Sequence, residues 1–179
     1  KTLLEDIRFA GNSIYDYTIN CKKSFGTAGQ RISTMVKKTL GISIPMDDEG
    51  KRLSISIEEH DGKNATLEIL DNGNLVIKAA TDREAIRAFA LFFNQKLRGV
   101  EQTSLDLPKG KYIDEDVSGF VLYSEFGAIG DGVSEDIGAI LAAHNYANTN
   151  GLPIKVDENA VYYISKIYQT VTIQTDTDW

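Results

Sequence analysis

The chain has 179 residues, 42% hydrophobic and 25% charged, which is enough to bury one large or two small cores and is ordinary for a globular protein. A formal net charge of −7 and a pI near 4.9 argue against a nucleic-acid binder, because phosphate backbones are held by clustered Lys and Arg and no basic stripe is present. The apolar runs fall well short of the ~18 residues that a membrane helix needs, so no membrane span is expected. Lys1 opens the chain without the apolar core of a signal peptide, which is compatible with a signal removed before it.

Residues 13 to 20, SIYDYTIN, place Tyr15, Tyr17 and Ile19 at period two, the pattern of a half-buried strand. The single cysteine, Cys21, excludes an intrachain disulfide and a multi-cysteine metal site and reads as a small buried or half-buried side chain. Thr27 and Gln30 have capping-box spacing, Ile32, Met35, Val36 and Leu40 form a helical stripe, and Gly41 supplies a left-handed stop. Three strands follow: Leu53, Ile55 and Ile57, then Leu67 and Ile69, then Leu75, Ile77 and Ala79 alternate with polar residues. The breaks Asp61-Gly62 and Asn72-Gly73 suit tight hairpins, so the three are expected to run antiparallel. Thr81 and Glu84 make a second capping box, Ile86, Phe89, Phe93 and Leu97 its stripe, and Gly99 its end.

This β-α-β-β-β-α order has one apolar sheet face and two amphipathic helices to cover it, which predicts an α+β two-layer sandwich over residues 1–99. The stretch EILDNGNLVIKAATDREAIRAFALFFNQKL resembles the small α+β accessory domain that precedes the catalytic barrel in bacterial hexosaminidases and α-glucuronidases. The resemblance covers about residues 13 to 98 and implies a domain without catalytic residues of its own.

Residues 100–119 carry a Pro, Gly and polar groups without a period and read as a linker. Asp114, Asp116, Ser118, Gly119 and Glu125 match calcium-loop spacing, but Pro108 and Gly110 break the entering helix and glycines follow Glu125, so a solvated acidic linker is expected and no metal.

The stretch FGAIGDGVSEDIGAILAAHNYANTNG, from Phe126, has three glycines followed by a helix-like run. It is not a phosphate cradle: a P-loop lysine is missing after Gly132, and Gly127, Gly130 and Gly132 reverse the dinucleotide spacing. Glu135 and Asp136 would also repel a phosphate at the helix start, whereas they favour the helix dipole with Ser134 as N-cap. Ile137, Ile140, Leu141, His144 and Ala147 share one face of the predicted helix over 135–149. Short β-prone runs follow at 153–156, 161–164 and 170–174.

Phe126, Gly127, Ala128, Gly130, Asp131, Gly132, Ser134, Glu135, Asp136, Ala139, Ile140 and Ala143 match the opening signature of the pectate-lyase-like right-handed parallel β-helix proteins, which this stretch resembles. In that resemblance residues 120–179 are the capping helix and first coil of a β-helix, and the motif residues Phe126, Gly127, Gly130, Asp131, Gly132, Ser134, Asp136 and Ile140 are structural. A solenoid end exposes an open core and strand edges, and a short helix can cover both. Barely one coil is expected here, so the sequence is read as the front of a longer protein.

No catalytic constellation is visible. His60 reads as a strand-end residue beside a turn, and His144 as a partly buried helix residue. No Gly-x-Ser-x-Gly elbow is present, and the carboxylates Asp47, Asp48 and Glu49 read as a solvated turn. Tyr162, Tyr163, Tyr168 and Trp179 are candidates for stacking on sugar rings, with Tyr162, Tyr163 and Trp179 the ligand-binding candidates. No cofactor is expected. The two resemblances together imply an exported, extracellular, periplasmic or cell-surface carbohydrate-active protein, a polysaccharide lyase or glycoside hydrolase, whose catalytic residues lie on later coils. The alternative is a non-catalytic stalk, adhesin or tailspike-like protein. The Asn64-Ala65-Thr66 sequon matters only if the source glycosylates.

Overall fold

A computed structural model describes residues 4–47, 50–165 and 168–179. The predicted solvated turn at Asp48 and Glu49 lies outside them. In chain order the elements are β1 Asp6–Phe9, β2 Asn12–Ser13, β3 Tyr17–Cys21, α1 Gly26–Leu40, β4 Leu53–Glu59, β5 Ala65–Ile69, β6 Leu75–Ala79, α2 Asp82–Lys96, β7 Ser104–Leu107, β8 Gly110–Glu115, β9 Val121–Leu122, β10 Asp131–Glu135, α3 Ile137–Asn150, β11 Ile154–Lys155, β12 Val161–Tyr163 and β13 Thr177–Asp178. The class is α+β, and no helix among the described residues is long and apolar enough to cross a membrane.

The main sheet has the order β3-β4-β6-β5-β8. Ile55, Ile57, Ala65, Leu67, Ile69, Leu75, Ile77 and Ala79 alternate onto its buried face, where they meet Ile32, Met35, Val36, Ile86, Phe89 and Phe93 of α1 and α2 in one core. The expectation of three antiparallel strands is corrected: β4 runs parallel to β6, and only β5 and β6 form a hairpin. The two dipeptide breaks explain why. Gly73 has φ +90° and Asn72 accepts the Asn74 N–H at 3.0 Å, whereas Gly62 lies outside the positive-φ region and its segment carries the chain over the end of β6.

Other local expectations also shift. The predicted strand over 13–20 is broken by a 3-10 turn at Ile14–Asp16, which leaves Tyr15 exposed while Tyr17 and Ile19 are buried. Thr27 is not an N-cap, because α1 begins at Gly26 and the Ala28 N–H donates to Asp82 Oδ1 of α2 at 2.9 Å. The cap of α2 is as the sequence indicates: Thr81 accepts the Glu84 N–H at 3.2 Å and its hydroxyl donates to the Glu84 carboxylate at 2.8 Å. Residues 104–107 and 110–115, within the stretch that reads as linker, are strands. β7 pairs in parallel with β1, and β8 pairs antiparallel with β5.

A second, smaller core lies beyond Phe120. Phe120 and Leu122 point into the main core, and Val121 and Tyr123 into the second with Ala128, Ile140, Ala143, Ala147 and Ile154. The period-two alternation of an extended segment thus makes residues 120–123 a shared wall. Against it, β9, β11 and β13 stack as a parallel ladder, with Val121 opposite Ile154 and Ile154 opposite Thr177. β10 and β12 form a second parallel pair, Asp131 opposite Val161. The third β-prone run, at 170–174, is not a strand; the pairing falls at Thr177–Asp178.

Candidate functional site

The glycine-rich stretch makes its contacts within the protein. Tyr123–Phe126 is a 3-10 turn closed by Gly127 at φ +97°, and a Cβ there would lie 2.7 Å from the Arg31 guanidinium. Asp136, fully buried, accepts the backbone N–H groups of Ile129 at 2.7 Å, Gly130 at 3.2 Å and Tyr163 at 3.3 Å. Asp131 accepts from Val133 N–H, Ser134 N–H and the Ser134 hydroxyl at 2.7 to 2.9 Å. Burial pushes its carboxyl up, but these donors outweigh it and hold Asp131 below its ordinary range.

Ser134 is therefore not the N-cap of α3, a correction of the sequence reading. It belongs to β10, and the helix starts at Ile137. Glu135 does favour the helix start, accepting the Ile137 N–H at 3.2 Å, and it also accepts from Ser165. Gly138 is the second residue of α3. Ile137, Ile140, His144 and Ala147 are buried as the face predicts; Ala143 is buried with them, while Leu141 is half-buried.

A buried polar seam joins α2 to the parallel strands. The Asp157 carboxylate accepts from Asn94 Nδ2 at 2.9 Å, Ser124 Oγ at 2.5 Å, Ser124 N at 3.0 Å and the Tyr162 hydroxyl at 3.0 Å. Arg98 donates from Nε to Asn94 Oδ1 and from Nη1 to the carbonyls of Ile129 and Gly130 at 2.7 and 3.1 Å. Burial lowers the Arg98 guanidinium, and Asp157 acts to raise it again. Tyr162 is raised by burial and by Asp157. This aromatic candidate thus spends its hydroxyl inside the protein, and its ring stands edge-on to Tyr123.

Two further buried pairs lie on the same side of α2 and α3. Glu125 is ion-paired with Arg87, whose Nε lies 2.9 Å from its carboxylate, and accepts the Leu122 N–H at 2.6 Å, so the side chain that calcium-loop spacing would make a ligand is engaged by a guanidinium. Burial pushes Glu125 up against the pull of Arg87. Arg83 reaches the same carboxylate at 3.8 Å and lies over the rings of Phe126 and Tyr146. The Tyr123 hydroxyl and His144 Nε2 are 2.8 Å apart, with His144 fully buried rather than partly, and its Nδ1 has no partner among the described residues. His60 follows β4 and accepts the Gly62 N–H at 2.9 Å, as a strand-end residue beside a turn would.

Of the remaining aromatic candidates, Tyr163 is 45% and Trp179 76% exposed. Trp179 borders a groove of about 480 Å³ lined by Leu91 and Asn94 of α2 and by Leu122, Val156 and Asp157. Its edge carries Lys155, Glu158 and Asp178.

Asn94, Arg98, Arg87 and Asp157 carry no signal in the sequence as a site. Arg87 and Asn94 of α2 and Arg98 just past its end sit at i, i+7 and i+11, a polar stripe beside the apolar one, but a polar stripe is ordinarily the solvated face. Only the packing of residues 117–130 and 157–159 onto that stripe buries it. No protein-family model matches the chain, and no curated protein is similar to it in sequence.

Proposed function

We propose that residues 1–179 are a non-catalytic N-terminal module of an exported carbohydrate-active protein of the pectate-lyase-like β-helix type, a polysaccharide lyase or glycoside hydrolase. In this reading the sheet with α1 and α2 is an accessory domain, α3 the capping helix, and the parallel strands the first coil of a right-handed parallel β-helix.

The observation that carries the reading is the ladder β9-β11-β13. Three short strands separated by long connections stack in parallel and in register, and α3 lies against the column through Ile140, Ala143 and Ala147. Stacking of successive chain passes in one direction is the geometry of a solenoid, and a helix over the apolar end is what such a column requires. The motif residues support this, since Gly127, Gly130 and Asp136 shape the turn that leads from the first strand into that helix.

The test has two readouts. Electrophoresis of the chain through gels containing neutral and uronic polysaccharides is expected to show retardation by at least one of them. Assays of reducing ends and of unsaturated products are expected to show no turnover. Free migration in every gel would remove the carbohydrate reading. Turnover abolished by a point change in this chain would remove the non-catalytic one.

A further inference from the structure

We propose that the polar stripe of α2 is a register ruler for the parallel ladder: Arg87 and Asn94, with Arg98 just past the helix, fix where each chain pass lies along the helix and so which residues of β9 and β11 face each other. The inference concerns the described ladder itself and does not depend on the carbohydrate reading above.

The ladder has little register of its own. β9, β11 and β13 have two residues each, and their sequences, Val-Leu, Ile-Lys and Thr-Asp, share no apolar pattern that selects one alignment. A one-residue slip would turn the core-facing side chains outward, but a two-residue slip preserves the facing, and strands this short lose few contacts by it.

Each stripe residue engages a different pass. Arg87 donates from Nη1 to the carbonyls of Val117 at 2.9 Å and Ser118 at 3.4 Å and is ion-paired with Glu125, so it grips the chain on both sides of β9. Asn94, about two turns further along, takes the second pass: its amide donates to Asp157, and its backbone carbonyl accepts from Asn159 Nδ2 at 3.1 Å, both just after β11. Arg98, about one turn on, donates to the carbonyls of Ile129 and Gly130 in the turn that enters β10.

One contact reads the alignment directly. Val121 stands opposite Ile154, and the same offset brings Ser124 to Asp157, 33 positions away, where its N–H and Oγ donate to the carboxylate at 3.0 and 2.5 Å. The Asp157 carboxylate therefore joins Asn94 and Ser124 together only when β9 and β11 are aligned as observed. A two-residue slip carries Asp157 about 7 Å along the strand, out of reach of both. Asn94, Ser124 and Asp157 are all buried, so the lost hydrogen bonds are not replaced by water. A buried polar contact that a single alignment satisfies is the best-attested way in which such groups specify structure.

Pulsed electron-spin dipolar spectroscopy on the full chain measures the alignment. Nitroxides are attached at Lys78→Cys of β6 and Glu158→Cys after β11, both exposed positions, in a Cys21→Ser background. The labelled parent is expected to give one narrow distance. Asn94→Leu, and separately Arg87→Met with Glu125→Gln, which removes both charges of the pair, are expected to add a second population displaced by about 7 Å, two residues of strand, while the far-ultraviolet signal of the helices persists. An unchanged single distance in both variants, whatever stability they lose, overturns the ruler and reduces the stripe to a stabilising contact. A broad distribution in the labelled parent overturns it as well, since a ladder aligned by the stripe has one position. Loss of all helical signal in both variants also overturns it, because a ruler acts on the ladder and the main sheet keeps its own core.

Discussion

Asn94 and Asp157 stand 63 positions apart, yet the Asn94 amide donates to the Asp157 carboxylate at 2.9 Å with both side chains buried. The pair ties α2, which packs on the main sheet, to the segment that follows β11. The same carboxylate also orients Ser124 and Tyr162, so one side chain fixes three pieces of chain.

Asp157→Ala would leave those donors unpaired and remove the carboxylate that most favours the charged form of the buried Arg98. Removal of one partner from a buried ionic network costs roughly 3–5 kcal/mol. Asn94→Ala alone should cost less, and the double variant less than the sum, because the two share a hydrogen bond. Urea unfolding of the four proteins checks this. Strict additivity would show that the seam does not act as a unit.

Two glycines of the turn and helix start should behave oppositely. Gly130 has φ +65°, and a Cβ there would lie 2.6 Å from Ala160 Cβ and 3.2 Å from Arg98 Nη1. Gly130→Ala combines backbone strain with overpacking and is expected to cost ~2–4 kcal/mol. Gly138 has open space around its Cβ position and lies in α3, so Gly138→Ala should stabilise by roughly 0.5 kcal/mol through the unfolded chain. Thermal unfolding of both separates them, and a tolerant Gly130→Ala would contradict the tight turn.

What could be read from the sequence was local. The Thr81–Glu84 cap, the Asn72-Gly73 turn and the Gly41 stop each sit within a few residues of what they control, and each is in place. Strands β7 and β8 could not be read, because Leu105, Leu107 and Ile113 are too few for a period and their partners are remote, residues 6–9 and 65–69. The parallel pairing of β4 with β6 was hidden for the same reason: register across a crossover leaves no mark on either strand. At the candidate site, Trp179 was visible as an aromatic, but the groove exists only because the α2 stripe is buried by later chain.

His144 makes stability depend on pH in a definite direction. Burial lowers its imidazole below the ordinary 6.5, so the folded protein holds fewer protons on this ring than the unfolded chain does. The contribution of the neutral ring is complete above 6.5 and is lost as pH falls from there toward the folded value, by up to about 1.4 kcal/mol per pH unit. Its partner Tyr123, pushed up to about 12 by burial and then by Asp157, does not titrate in this window. Unfolding free energies between about pH 5.5 and 7 should slope upward with pH, and His144→Gln should flatten that slope. Equal slopes in both proteins would mean that His144 is not held neutral by the fold.

The plug role of α3 is the most demanding prediction. Ile140 is 5% exposed and packs in the core that includes Val121, Tyr123 and Ile154, the first two from the strand segment and the third from the next rung. Ile140→Asp removes a large aliphatic side chain and inserts a carboxylate with no partner, and the two penalties together are expected to exceed about 4 kcal/mol. Ala142→Asp places the same charge on the exposed face of the same helix, where only helix propensity changes, and should cost under about 1 kcal/mol. Urea unfolding should be followed by Trp179 emission, which reports on the ladder, and by far-ultraviolet circular dichroism, which reports on all helices. An early loss of the Trp179 signal in Ile140→Asp alone would place the damage in the parallel stack. Equal stability of the two variants would mean that α3 does not seal an apolar column, and the solenoid reading would lose the contact on which its physical case depends.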